Sequence, residues 1–222
     1  MKSPVIDPSL AEYHLSELQI ARDSHAPGHL LPPIPPGCRA VLDIGCGAGQ
    51  TLIASRLADG VLACGVDPDA SALALGRTLT AGVQFSAASG EHLPFAAGSF
   101  DLVFSRVALP YMNIPEALRE IDRVLRPGGM VWFSLHPPRF ALRAMSRAIR
   151  NRSVRGSVYP VYTLFNGVAL HLFNRQMRWP FGRRRFESNQ TAAGMRRALA
   201  RAGFTDVAVG QGEFFVVTAR KR

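Results

Sequence analysis

The run Val41-Leu42-Asp43-Ile44-Gly45-Cys46-Gly47-Ala48-Gly49 sets one carboxylate and three glycines, two residues apart, at the end of an apolar stretch. A strand that enters a glycine-rich turn and then a helix presents bare backbone at the carboxyl edge of a parallel sheet, where α/β folds take up nucleotides. The dinucleotide fingerprint is G-x-G-x-x-G, with a pyrophosphate over the helix N-terminus. Here the spacing is G-x-G-x-G, and Asp43 stands where the strand ends. A carboxylate repels phosphate and suits an ammonium group, so the residues point to a nucleoside with an amino-acid tail, S-adenosylmethionine, rather than to NAD. Asp67, 24 residues further on, closes a second apolar run, Val61 to Val66. A carboxylate there can accept both hydroxyls of a ribose. The bland role for such a residue is a helix N-cap, which Asp69 can fill instead.

These residues need a sheet to position them. Strands are expected at 39–44, 61–66, 84–87, 100–105 and 130–135, with helices over 50–57, 70–79 and 115–124 between them. After an interruption, a helix over 191–202 and strands at 205–209 and 214–219 resume the rhythm. Alternation at this spacing implies a Rossmann-like, doubly wound, mostly parallel seven-stranded sheet with helices on both faces. At 222 residues the chain is expected to form one domain. Residues 1–38 make an N-terminal helix and a proline-rich linker, 39–136 and 190–222 the core, and 137–189 an insertion after strand five, much longer than an ordinary connection.

That insertion is rich in arginine and aromatics. Arg139, Arg143, Arg147 and Arg150 fall on one helical face, with Leu142, Met145 and Ile149 opposite. Such a helix can lie on an anionic membrane surface, or pack its apolar side over its own domain as a lid. Tyr159, Tyr162, Phe165, Phe173, Trp179 and Phe181 could then wall off an apolar pocket, and Arg183-Arg184-Arg185 could contact an anion. A mobile cap here would close an acceptor pocket. The formal charge of +10 is concentrated in this part of the chain, where Glu187 is the one acidic residue between Pro137 and Arg201. A positive patch draws anionic partners, and an arginine-biased solvated face gives the same composition.

Further motifs extend the pattern: Gly65-Val66-Asp67, Leu93-Pro94-Phe95 followed by Ser99-Phe100-Asp101-Leu102-Val103, and Leu118-Arg119-Glu120-Ile121-Asp122-Arg123-Val124-Leu125-Arg126-Pro127-Gly128-Gly129. Together with the glycine turn they resemble the class I S-adenosylmethionine-dependent methyltransferases, and most of all the quinone-biosynthesis, or methyltransferase type 11, branch. The resemblance covers Arg39 to Leu135 and, more weakly, Gln190 to the C-terminus. It implies that Asp43, Gly45, Cys46 and Gly47 line the methionine half of the cofactor, that Asp67 holds the ribose and that Pro68 lies beside the adenine. It also implies that Ala88, Ser89 and Gly90 face the adenine amino group and that Arg106 offers its backbone to the methionine ammonium. Relatives often carry aspartate at the position of Ser89, so that contact can pass to Glu91.

A methyl group on a sulfonium leaves without protonation, so alignment of the acceptor and exclusion of water supply most of the rate. A base is needed only for a weakly acidic acceptor. Arg106, Tyr111, Asn113 and His136 end strands four and five on the cofactor side, and His136 and Tyr111 are the catalytic candidates. The bland role for His136 is to satisfy a loop carbonyl. His25 and His29 flank Pro27-Gly28, which spoils a helical ligand pair, so no metal site is expected.

The acceptor class expected is a small molecule of lipid-like, aromatic or acidic character, with an anionic ligand or membrane surface at the arginine-rich insertion. One rival is an RNA methyltransferase, since arginine among aromatics also suits phosphate and base stacking. Against it, strand four ends Phe104-Ser105-Arg106-Val107, not the Asp/Asn-Pro-Pro-Tyr/Phe of exocyclic-amino methylases, and no cysteine follows a proline. A second rival is a non-catalytic S-adenosylmethionine-binding or peripheral membrane protein. Cys38, Cys46 and Cys64 show no C-x-x-C pairing, the first eight residues lack an apolar run, and the uncharged window 158–173 is shorter than a bilayer span. A cytoplasmic protein is the expectation.

Overall fold

The computed structural model of the chain describes residues 7–180 and 186–222. Strand β1 (Ala40–Ile44) is buried at every position, as a central parallel strand covered on both faces must be. It pairs in parallel with β2 (Leu62–Asp67) on one side and with β4 (Phe100–Arg106) on the other. Adding β3 (Gln84–Ala87), β5 (Leu125–Leu135), β6 (Phe204–Gln211) and β7 (Phe215–Lys221) gives one seven-stranded sheet in the order β3-β2-β1-β4-β5-β7-β6. Only β7 runs antiparallel to its neighbours β5 and β6. The strand order reverses between β1 and β4, and the crevice outside their carboxyl ends is where an open α/β sheet binds its ligand.

Alternate residues of the strands feed the two faces. Leu42, Ile44, Val66, Val103, Val131 and Phe133 pack on one side with Leu118 and Ile121 of α4 (Ile114–Val124) and Met195 and Leu199 of α7 (Ala192–Arg201). Val41, Ala63, Leu102, Phe104 and Trp132 form the other side, under Leu52 of α2 (Gln50–Ala54). Leu30 and Ile34 pack there too, so the proline-rich stretch is a packed strap across the sheet. Helix α1 (Pro8–Arg22) starts at an Asp7 side chain that accepts from the Ser9 amide. Helix α3 (Ala70–Leu79) starts in the same way from Asp69, which accepts from Ser71 and Ala72.

The departures from expectation lie between β5 and α7. Helix α5 (Arg139–Arg150) forms as expected, but the side it buries is Ala141 and Ala148. Leu142 and Ile149 sit at the edge of that stripe and stay exposed. The stretch with Pro160 and Gly167, for which no helix was expected, is a 20-residue helix, α6 (Val154–Phe173). Gly167 allows it: a Cβ there would lie 2.3 Å from the Asn189 carbonyl oxygen, so the helix backbone rests directly on the returning chain. Tyr159, Tyr162 and Trp179 do gather, with ring centroids 4.8–5.8 Å apart. Phe165 and Phe173, expected in the same wall, point outward. Phe181 and Arg183-Arg184-Arg185 lie outside the described residues.

Candidate cofactor and acceptor site

The turn after β1 is fixed by backbone. The Gly45 and Cys46 amides both donate to the Val66 carbonyl, at 2.8 and 3.0 Å, which draws the turn onto β2. Ser105, buried in β4, donates to the Ile44 carbonyl at 2.8 Å and accepts from the Leu109 amide at 3.1 Å, tying β1, β4 and the short 3-10 turn 109–111 into one floor. Gly45 has φ +74°, and a Cβ built there would fall 2.1 Å from the Ala108 Cβ. Gly45 and Ala108 thus make the waist of a cleft with two lobes of about 420 and 440 Å³, which share Gly45, Asp67, Ala108 and Tyr111.

Asp67 lies where the lobes meet. Its Oδ2 accepts from the Gly47 amide at 2.9 Å and its Oδ1 from the Asp69 amide at 2.8 Å. Each carboxylate oxygen keeps a second lone pair for a ligand. Asp43 is different. It is 2% exposed, and its Oδ1 has no hydrogen-bond partner. Burial, reinforced by the nearby Asp67 charge and opposed by Arg106, drives its pKa well above the ordinary carboxylate range. Arg106 does not neutralise it directly, because its guanidinium is held by Glu17 at 3.0 Å and by the Gly28 carbonyl at 3.3 Å. A buried acceptor oxygen without a donor is costly, and an ammonium group entering the lobe would relieve it. This orphaned oxygen and a bare glycine waist fit a nucleoside with an amino-acid tail.

One lobe gathers Asp43, Gly45, Cys46, Gly47, Asp67 and Arg106. The other gathers Pro68, Ser89, Gly90 and Glu91 with Gly45 and Asp67. Glu91 is already engaged, accepting from the Asn113 amide at 2.8 Å. Tyr111 lines both lobes, whereas His136 lines neither. The His136 ring stands edge-on behind Tyr111, with centroids 5.5 Å apart, and burial lowers its pKa. Its backbone is clamped by Gln190, which donates its amide to the His136 carbonyl at 2.8 Å.

Sequence reasoning missed the contribution of α1, whose Tyr13, His14 and Glu17 line the lobe that holds Asp43. His14 is buried and packs on Gly47, where a Cβ would lie 2.9 Å from its Cε1. Gln50 Nε2 donates to His14 Nδ1 at 2.6 Å, consistent with an imidazole whose pKa burial lowers. The signal was present as a histidine on the inward face shared with Leu18 and Ala21, at helical spacing. Arg178 and Phe186, 5.1 Å apart as a cation–π pair, close the other lobe from the far side of the chain.

Residues 42–133 match the family described as a methyltransferase domain. Over 108 residues, 47% of this chain and 39% of the relative, the sequence is 39% identical to a malonyl-[acyl-carrier protein] O-methyltransferase of Herminiimonas arsenicoxydans. A crystal structure of an S-adenosylmethionine-dependent methyltransferase from Thermotoga maritima superposes with a TM-score of 0.59 at 18% identity, covering 96% of this chain and 92% of the other. Human N-acetylserotonin methyltransferase, solved with S-adenosylmethionine, gives 0.53 at 15% identity, covering 83% of this chain and 48% of the other. Residues 42–133 carry a methyltransferase domain, in a fold shared with solved S-adenosylmethionine-dependent methyltransferases. The match spans about two fifths of the length of its curated relatives.

Proposed function

We propose that this protein methylates a small acceptor carrying an acid group, with S-adenosylmethionine held across the two lobes. The observation that carries the reading is the buried Asp43 oxygen with no donor, beside Asp67, across a waist that only glycine allows. When bound, the cofactor supplies an activated methyl on a sulfonium. Asp43 faces its ammonium group, and Arg106 lends backbone at the same end. Gly45, Cys46 and Gly47 leave room for the methionine chain, and Asp67 accepts from the ribose. Pro68, Ser89 and Gly90 flank the adenine, with Glu91 holding the N-terminus of α4 beside it.

The acceptor reading rests on two supports. Arg178 lines the cleft, and relatives that share the domain are named for methylating a malonyl group. A carboxylate acceptor is already ionised at neutral pH and needs no base. In this reading Tyr111 touches the acceptor, and His136, neutral because of burial, is a positioning residue that fixes the Tyr111 ring. In this reading the insertion walls the acceptor side of the cleft through Arg178 and Phe186 and is held in place rather than mobile, since Gln176 accepts from the Ile114 amide at 2.7 Å and Leu170 belongs to the main core. No described helix is long and apolar enough to cross a membrane. The free Cys38, Cys46 and Cys64 suit the reducing interior of a cell.

Calorimetry with S-adenosylmethionine, its demethylated product and NAD tests the cofactor assignment. Asp67→Ala should weaken the first two by roughly 10- to 150-fold, the range for hydrogen bonds to a charged group, and preferential binding of NAD would overturn the assignment. Release of demethylated cofactor, measured against malonyl thioesters, neutral phenols and RNA, tests the acceptor. Turnover on malonyl thioester should stay flat from about pH 6 to 8, since an ionised carboxylate acceptor needs no base, and burial lowers the His136 pKa. A turnover that climbs through that interval and loses its slope in His136→Gln would make His136 the base instead. In the positioning role, His136→Gln raises KM more than it lowers kcat.

A further inference from the structure

Helix α6 buries polar side chains beside Tyr162 and Leu170 and shows an apolar face to solvent. Its polar residues Thr163 and Asn166 are buried, and Asn166 donates its side-chain amide to the Met177 and Glu187 carbonyls at 2.8 and 3.0 Å. The face it shows to solvent is Val158, Val161, Phe165, Val168 and Leu172, each about half exposed. These follow one another by three or four residues and form a straight apolar ridge about 21 Å long, at 1.5 Å per residue. Phe173 at its end is 68% exposed. An exposed apolar face of this length marks an interaction site.

Charge identifies the occupant. No aspartate or glutamate occurs between Asp122 and Glu187, so nothing acidic on α5 or α6 opposes an anion. Arg152 stands exposed before the ridge and Arg175 after it, one cation at each end. A second copy of this chain would bring those arginines against their own kind. A protein partner would ordinarily offer about one hydrogen bond per 100–200 Å², and the exposed residues of the ridge have no polar side-chain atom to make one. A bilayer interface asks only for apolar side chains at the acyl boundary and cations at the phosphates.

We propose that α6 lies in the plane of an anionic membrane surface, its apolar ridge set into the acyl boundary and Arg152 and Arg175, at its two ends, on lipid phosphates. The proposal stands on this face alone and not on the methyl-transfer reading, since the ridge is outside the cofactor cleft.

Cosedimentation with phosphatidylcholine vesicles, with and without one quarter phosphatidylglycerol, tests it on the full chain. The wild type should bind the anionic vesicles at least about tenfold more tightly than the neutral ones. That preference should shrink at about 1 M salt, where the Debye length falls to about 3 Å. Phe165→Asp/Leu172→Asp should lower binding to anionic vesicles on the order of tenfold or more, through lost apolar burial. Arg152→Glu/Arg175→Glu should remove the preference for charged lipid while leaving the salt-insensitive remainder. Thermal unfolding and S-adenosylmethionine affinity, both expected to match the wild type, show that the variants are folded. Equal binding of wild type and Phe165→Asp/Leu172→Asp overturns the proposal. So does a wild type that ignores vesicles, including one that is dimeric in solution and becomes monomeric when the ridge is charged.

Discussion

Asp43→Asn is expected to bind S-adenosylmethionine about 10- to 150-fold more weakly than the wild type, yet to melt at a higher temperature without ligand at pH 8. Loss of a charge-assisted hydrogen bond to an ammonium group sets the first effect. The second follows from burial. In the folded protein the Asp43 carboxyl has a pKa well above its ordinary value of 3.8, chiefly because it is desolvated. Between those two pKa values the folded state keeps a proton that the unfolded chain has released. The stability tied to that neutral carboxyl is complete below pH 3.8 and is lost as pH rises through the folded pKa. An asparagine stays neutral throughout, so its stability should not fall across that window. Thermal melts of both proteins at pH 5 and 8, with and without cofactor, check the pair of effects. A variant that melts lower at both pH values, or keeps wild-type affinity, would show that Asp43 has a donor in solution and is not waiting for one.

Gly45→Ala carries the other large effect. Two costs add, because the residue has φ +74° and its Cβ would meet the Ala108 Cβ at 2.1 Å. Left-handed backbone in an alanine costs about 1–2 kcal/mol, and overpacking typically about 1–3 kcal/mol more. A destabilisation of roughly 2–5 kcal/mol is therefore expected in denaturant unfolding. Cofactor binding should fall below detection, because Gly45 and Ala108 are the waist common to both lobes. Ala108→Gly in the same chain removes the clash but not the backbone strain, so the double variant should recover only the packing share. Full recovery would place all the strain in the side-chain contact, and no recovery would place it all in the backbone.

The sheet and the cofactor cleft were legible in the sequence because their signals are local. An apolar run of five residues, a glycine that must adopt positive φ and a carboxylate at a strand end declare themselves without knowledge of what lies across the chain. Asp43, Gly45, Gly47 and Asp67 line one cleft, and their roles toward a cofactor belong to the proposal. The amphipathic pattern of α4 is equally plain, with Ile114, Leu118 and Ile121 inward. The Arg106 backbone role and the contact of Ser89 with adenine came from family resemblance, and they remain part of the proposal.

Other features depended on partners far away in sequence. Helix α6 shows no clear amphipathic pattern, because its buried face mixes Thr163 and Asn166, the latter satisfied by the Met177 and Glu187 carbonyls, with Tyr162 and Leu170, and its exposed face is apolar. Hydropathy alone cannot tell which side of such a helix is inward. Its Gly167 looks like a breaker until the Asn189 carbonyl is seen against it. Alanine, not leucine, sets the buried side of α5, because α6 approaches too closely for larger side chains; Gly156 would bring a Cβ to 3.3 Å from that of Ala148. His14 became part of the cleft only when α1 folded back over Gly47, and His136 was separated from it only when Tyr111 came between. The sequence by itself determined the sheet, the glycine turn and the two carboxylates, since short-range backbone sterics and strand patterning fix them. Tertiary structure alone decided which helices wall the cleft and which face of α6 meets solvent, because those outcomes depend on hydrogen bonds and close contacts between segments distant along the chain.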